Sequence, residues 1–184
     1  MTKILVTGGG GYIGSIACKQ LLEAGYELVV IDDFSSGYRQ PLKLLTKQYG
    51  DSKVRFYAKD IREDLTSILK KERNIDAVLH YAGVCSVNES MLNPYKYFSI
   101  NTAGTNNLLD HLVKFGIMNI VFSSSCAVYG ETKKMPIIED HSTVPTSPYG
   151  QSKLMSEQII RWFNKSHGIN YIILRYFNVC GASD

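Results

Sequence analysis

Tyr149 and Lys153 stand four residues apart in Tyr149-Gly-Gln-Ser-Lys153, so on a helix they share one face. A free phenol has a pKa of about 10 and is a poor base at neutral pH. A neighbouring ammonium favours the phenolate. Upstream, Phe122 runs into Ser123-Ser124-Ser125-Cys126, and a hydroxyl from this cluster can share a hydrogen bond with the same substrate oxygen. Together these groups suit taking a proton from an alcohol. A Tyr-x-x-x-Lys spacing alone proves little, because many surface helices carry one by chance. Its weight depends on whether the rest of the chain can hold an oxidant beside it.

The stretch that can do so is Lys3-Ile-Leu-Val-Thr-Gly-Gly-Gly-Gly-Tyr-Ile-Gly14. Ile4, Leu5 and Val6 form an apolar run without alternation, as in a strand buried on both faces. Four glycines follow, and a helical pattern opens at Tyr12-Ile13-Gly14. Strand, glycine turn and helix start make a phosphate cradle, in which backbone approaches a pyrophosphate and free N–H groups of the first helical turn face the anion. Two registers fit, Gly8-x-x-Gly11-x-x-Gly14 and Gly9-x-Gly11-x-x-Gly14. The next apolar run, Leu28 to Ile31, ends in Asp32-Asp33. That puts an acid about 20 residues beyond the turn, where it can accept bonds from a ribose diol. An acid there repels a 2′-phosphate and favours NAD over NADP. A plain loop Asp after a strand is the alternative; the upstream turn favours the cofactor.

These groups need a frame. Val54–Ala58 reads as a third strand, followed by Asp60-Ile61, which could flank an adenine ring or cap the helix through Leu65, Ile68 and Leu69. Ala77–Tyr81 reads as a fourth strand, and Ala82-Gly83 after it are small enough for a cofactor to come close. Pro94 leads a long helix with Tyr97, Ile100, Leu108, Leu109, Leu112 and Val113 as its apolar face. Asn101 interrupts that face, either solvated or pointing inward. Ile117–Phe122 is a fifth strand, Glu131–Pro148 an irregular loop, and Tyr149–Phe163 a helix with Leu154, Ile159 and Trp162 buried. Tyr171–Phe177 is a sixth strand. Strand and helix alternate throughout, so the expected fold is α/β, a doubly wound parallel sheet forming one dinucleotide-binding domain over residues 1–184.

The 184 residues carry 20 basic and 17 acidic side chains, a net charge of +3. They are mixed along the chain, which gives no basic stripe for nucleic acid. No signal peptide or membrane-length apolar run is visible, so the expected location is the cytosol. Cys18, Cys85, Cys126 and Cys180 are far apart, with no zinc or disulfide pattern. His80, His111, His141 and His167 show no ligand spacing, so no metal is expected. His80, closing an apolar run, reads as a hydrogen-bonded core histidine.

The chain resembles the N-terminal part of the extended short-chain dehydrogenases/reductases, the NAD-dependent epimerase/dehydratase family, and within it the nucleotide-sugar 4-epimerases. The likeness covers essentially all residues. It is carried by Val6-Thr-Gly-Gly-Gly-Gly-Tyr-Ile-Gly-Ser15, Val87-Asn-Glu-Ser90, Phe122-Ser-Ser-Ser-Cys-Ala-Val-Tyr-Gly130, Ser147-Pro-Tyr-Gly-Gln-Ser-Lys-Leu-Met155 and Leu174-Arg-Tyr-Phe-Asn178. The resemblance implies that Tyr149 is the acid/base, that Lys153 tunes it and holds the nicotinamide ribose, and that Ser125 bonds the substrate's 4-hydroxyl. It implies NAD contacts at Gly11, Tyr12, Ile13, Asp32, Asp33, Phe34, Ser35, Ser36 and Gly37. Further contacts would fall at Asp60, Ile61, Tyr81, Ala82, Gly83, Val84, Cys85, Asn101 and Phe177, with Asn178 at the nucleotide diphosphate. The implied reaction interconverts UDP-galactose and UDP-glucose. Hydride leaves C4 of the sugar, the 4-keto sugar turns over, and hydride returns to the other face while NAD stays bound. A homodimer through the helices Tyr95–Val113 and Gly150–Phe163 is implied as well.

Two features depart from the family pattern. Cys85 stands where many relatives have a lysine, and the family continues beyond Asp184 with a region forming much of the sugar-nucleotide pocket. The chain is therefore expected to be a fragment or truncated form. A dehydratase or decarboxylase is the nearest rival, but Ser124-Ser125-Cys126 lacks the acid pair that a dehydratase needs at that strand end. A non-catalytic NAD-binding module is the other.

Overall fold

β1 (Lys3–Thr7), β2 (Glu27–Asp32), β3 (Val54–Ala58), β4 (Ala77–His80), β5 (Asn119–Ser125) and β6 (Asn170–Tyr176) form one sheet in the order β3-β2-β1-β4-β5-β6. Every pairing is parallel. The computed structural model describes residues 2–132 and 134–181. β1 and β2 read as unbroken apolar runs because helices cover both faces of the sheet. On one face α1 (Tyr12–Glu23) and α2 (Arg39–Tyr49) pack Cys18, Leu22, Leu42 and Leu45 against Ile4, Val6, Leu28 and Val30. On the other, α3 (Thr66–Lys71), α6 (Gly104–Lys114) and α7 (Pro148–His167) set Ile68, Leu108, Leu109, Leu112 and Ile160 on Leu5, Val29, Val78 and Phe122. The sheet is doubly wound, as its alternation of elements suggested. Its order reverses between β1 and β4, which opens a crevice at their carboxyl ends.

Several elements differ from the sequence reading. β5 starts at Asn119 and continues through the serines, because Ser123, Ser124 and Ser125 pair in register with Leu174, Arg175 and Tyr176. A short helix, α4 (Val87–Leu92), is capped by Ser86, whose side chain accepts from Glu89 N. The long helix from Pro94 comprises α5 (Pro94–Tyr97), a π-helical segment Phe98–Ala103, and α6. Asn101 and Thr102 lie buried within the π segment, a distortion often found at functional positions. Asp60 does not cap α3. Asp64 accepts from Thr66 N at 2.9 Å, while Asp60 accepts from Arg62 N at 2.8 Å and pairs with the Arg62 guanidinium.

Trp162 is exposed, contrary to expectation. The buried face of α7 is instead largely polar, carrying Ser152, Lys153, Ser156 and Glu157 before Ile160, and an apolar-periodicity argument cannot see such a face. Ser147 caps α7 by accepting from Gly150 N at 3.1 Å, and Pro148 occupies its first turn. His80 is a core histidine, sharing hydrogen bonds with Thr7 Oγ1 at 2.6 Å and Thr105 Oγ1 at 2.9 Å. Burial, with a smaller push from Lys153, lowers its pKa to about 3. Among the described residues no helix is long and apolar enough to cross a membrane, and no group of three or more His, Cys, Asp and Glu could hold a metal ion.

Candidate active site

Gly8 ends β1 with φ +77°, and a Cβ there would lie 2.5 Å from Ala82 N after β4. A Cβ on Gly14 would lie 2.1 Å from Gly8 O. Both positions admit glycine alone, because the turn is pressed between β4 and the start of α1. Gly11 is the N-cap of α1, with no side chain capping the helix and no acid in its first turn. The first N–H groups therefore face the crevice without a competing acceptor. Gly8, Gly11 and Gly14 all line the crevice, whereas a Cβ on Gly9 would meet Val30 and Cys18.

Asp32 is held at the rim. Its Oδ2 accepts from Gly10 N and its Oδ1 from Phe34 N, each at 2.8 Å. Each oxygen keeps further acceptor capacity for a diol. Asp33 accepts from Ser35 N at 3.0 Å and Ser35 Oγ at 2.8 Å, which folds the loop up to Gly37.

The crevice has two joined chambers that share Gly8, Gly11, Ser36, Tyr81, Gly83 and Val84. The narrower, of about 90 Å³, adds Asp32, Asp33, Ser35, Gly37, Asp60, Ile61 and Ala82. The wider, of about 570 Å³, adds Tyr12, Ile13, Gly14, Cys85, Ser125, Tyr149, Lys153, Phe177 and Asn178. Two sequence candidates lie off its wall. Phe34 packs edge-on to Phe56 at 6.2 Å, beneath the Arg39 guanidinium at 4.4 Å, so its partly buried ring leans on the core beside β3. Asn101 points inward, where Oδ1 accepts from Val84 N, and Nδ2 donates to Val84 O and Ser152 Oγ. It braces the loop after β4. Lys59, Ile100, Val87, Ser123, Ala127, Tyr176 and Val179 also line the crevice. Ser123 and Tyr176 could have been found as strand-end neighbours of chosen residues. Ile100 and Val87 arrive by tertiary packing, which neither the apolar face nor the Val87–Ser90 stretch revealed.

α7 carries Tyr149 and Lys153 to the wide chamber. Tyr149 is 9% exposed. Burial raises its pKa, a hydrogen bond with Ser125 opposes this, and the nearby Cys85 and Cys126 add to the rise. The ring also meets Tyr97 edge-on at 6.2 Å. Lys153 is 5% exposed, donates to Ser123 O at 2.9 Å, and stands 5.0 Å from the centre of the Phe122 ring. Burial lowers its pKa to about 8. A Cβ on Gly83 would approach Lys153 Nζ to 3.4 Å, so the loop after β4 closes over the ammonium. Ser125 Oγ accepts from Ala127 N at 3.2 Å, which starts the 3-10 turn Cys126–Tyr129 and fixes the hydroxyl at the end of β5. A phenol, a desolvated ammonium and an anchored hydroxyl thus open on the chamber that begins at the Gly8–Gly14 turn.

A profile of the NAD dependent epimerase/dehydratase family matches residues 4–184. The chain is 46% identical over 181 residues to a UDP-glucose 4-epimerase of Lacticaseibacillus casei, covering 97% of this chain and 52% of that protein. It is 39% identical over 184 residues to a putative UDP-arabinose 4-epimerase of Arabidopsis thaliana, covering 99% and 42%. The fold superposes on the UDP-Glc/GlcNAc 4-epimerase of Campylobacter jejuni with a TM-score of 0.93 at 36% identity, covering 100% of this chain and 56% of that one. It superposes on the UDP-glucose 4-epimerase of Brucella ovis, solved in complex with NAD, with a TM-score of 0.90 at 37% identity, covering 100% and 54%. The chain spans about half the length of the curated relatives it matches. By sequence and fold, this chain belongs to the NAD dependent epimerase/dehydratase family.

Proposed function

We propose that residues 1–184 form an NAD-binding domain that supplies the acid–base machinery for epimerising C4 of a UDP-hexose, with UDP-galactose and UDP-glucose as the pair. The observation that carries this is the shared chamber: the Gly8–Gly14 turn and the Tyr149–Lys153 pair line one cavity. The residues fit the cofactor. Side-chain-free approaches at Gly8 and Gly14 leave room for a pyrophosphate, the first turn of α1 offers N–H donors, and Asp32 waits at the ribose position. Asp60 and Ile61 border the narrow chamber, which this reading gives to the adenine. When bound, NAD supplies a reversible hydride acceptor at the sugar carbon.

The chain's own residues do the rest. Tyr149 Oη takes the proton of the 4-hydroxyl and later gives it back. Lys153 opposes the cost of the phenolate by placing a positive charge in a chamber of low dielectric. Ser125 Oγ orients the reacting hydroxyl, and Phe177 and Asn178 border the side from which the sugar nucleotide enters. The UDP-glucose 4-epimerase of Bifidobacterium longum, solved in complex with NAD+ and UDP, supports the assignment. The homodimer through α5–α6 and α7 belongs to the same reading, supported by Tyr95 and Trp162, which expose 80% and 66% of their surface on those helices. No nucleic acid is expected among its partners.

The test is conversion of UDP-galactose to UDP-glucose by the purified chain with no added cofactor, alongside a direct measurement of NAD binding. Turnover supports the epimerase. NAD binding without turnover assigns the chain to a cofactor-binding module, and no NAD binding overturns the reading.

A further inference from the structure

The polar buried face of α7 has a member that the acid–base chemistry does not use. Glu157 is 0% exposed, four residues beyond Lys153 and eight beyond Tyr149. Four donors surround its carboxylate. Ser124 Oγ donates to Oε1 at 2.6 Å, and Arg175 donates through Nε to Oε1 at 3.0 Å and through a terminal nitrogen to Oε2 at 2.7 Å. Arg161 reaches Oε2 at 3.4 Å. The other terminal nitrogen of Arg175 donates to Tyr129 Oη at 2.9 Å and Glu139 O at 3.2 Å. Ser124 and Arg175 are register partners on β5 and β6. One carboxylate thus ties together two strand ends, the 3-10 turn and the helix that bears the phenol.

A buried charge so placed is costly unless fully paired, and here it is paired on every side. Apolar residues would hold α7 to the sheet at least as well, so stability alone gives this arrangement no reason. Geometry does. The strand end that Glu157 grips is one residue from Ser125, and the helix that carries it presents Lys153 one turn earlier. We propose that Glu157 is a positioning residue: through the Ser124 hydroxyl and the Arg175 guanidinium it locks the end of β5 against α7, and so keeps Ser125 Oγ on the Tyr149 phenol. This rests on the reading of Tyr149, Ser125 and Lys153 as the acid–base set.

The test follows the tyrosine itself. In the full chain labelled with 13Cζ-tyrosine, the Tyr149 signal is identified by its loss in Tyr149→Phe, and its titration midpoint is read by NMR. Glu157→Gln leaves Arg175 short of charge and can unfold the chain, so Ser124→Ala is the decisive variant: it cuts the link and leaves the ion pair. Its midpoint is expected to rise by about 0.5 pH unit, towards that of Ser125→Ala. Ser156→Ala is the control, because this equally buried hydroxyl bonds only Asn101 O and Ser152 O and its loss is expected to leave the midpoint in place. A midpoint unmoved in Ser124→Ala, or moved equally in Ser156→Ala, overturns the proposal. Since the reading needs neither cofactor nor sugar, a chain that binds no NAD would sink the proposed function and leave this result standing. Where turnover is measurable, Ser124→Ala lowers kcat and leaves KM for UDP-galactose unchanged; a change in KM alone contradicts positioning.

Discussion

Lys153→Met replaces the buried ammonium with an apolar side chain of similar length, and its consequence depends on pH. Burial lowers the Lys153 pKa in the fold to about 8, against about 10.4 in an unfolded chain. Between these values the unfolded chain holds more protons than the folded one, so stability contributed at this site rises with pH across the window. At pH 7 keeping the ammonium buried costs about 3 kcal/mol, and by pH 10 less than about 1 kcal/mol. Urea unfolding of the chain and of Lys153→Met at both pH values reads the effect, because titrating groups that do not feel Lys153 cancel in the difference. The wild-type chain should gain about 2–3 kcal/mol on the variant between pH 7 and pH 10. The lost bond to Ser123 O shifts both measurements alike and drops out. A difference that stays flat would refute the view that this ammonium is held dry, and with it the reason it can act strongly on Tyr149.

Tyr149→Phe removes only the phenolic oxygen, so NAD affinity should be kept and turnover lost, as read by calorimetry and by UDP-galactose conversion. Gly14→Ala drives a methyl to within 2.1 Å of Gly8 O; it should abolish measurable NAD binding and lower stability by about 1–3 kcal/mol in thermal or urea unfolding. His80 has its pKa lowered from 6.5 to about 3, so its contribution is complete above pH 6.5 and is lost as pH falls towards 3. Up to roughly 4 kcal/mol disappears over that window, and His80→Gln should flatten this part of the acid-unfolding curve.

The sheet was legible because β1 and β2 are buried on both faces and the strands are separated by helical patterns: Ile4–Val6, Leu28–Ile31 and Val54–Ala58 all fall within observed strands. The crevice was legible for a related reason, since ligands of such sheets meet the strand ends, and Gly8, Asp32, Ala82 and Ser125 end or follow strands. Other features were not. The polar buried face of α7 defeated an apolar-period reading and placed Trp162 inside. The π segment around Asn101 and the partners of its amide depend on how α5, α6 and α7 meet. Phe34 was taken with its loop, but Phe56 and Arg39, distant in sequence or unremarked beside it, draw the ring away. Composition and motif give strand ends well. Which side chains a tertiary contact consumes, they do not.

The central claim is that Tyr149 shares its chamber with the positive end of a nicotinamide dinucleotide. Its most direct test is the titration midpoint of the Tyr149 13Cζ signal with NAD and with ADP-ribose, which lacks the charged ring. The midpoint should fall in NAD and stay close to the free value in ADP-ribose. Equal midpoints in both, with both ligands bound, would contradict the account.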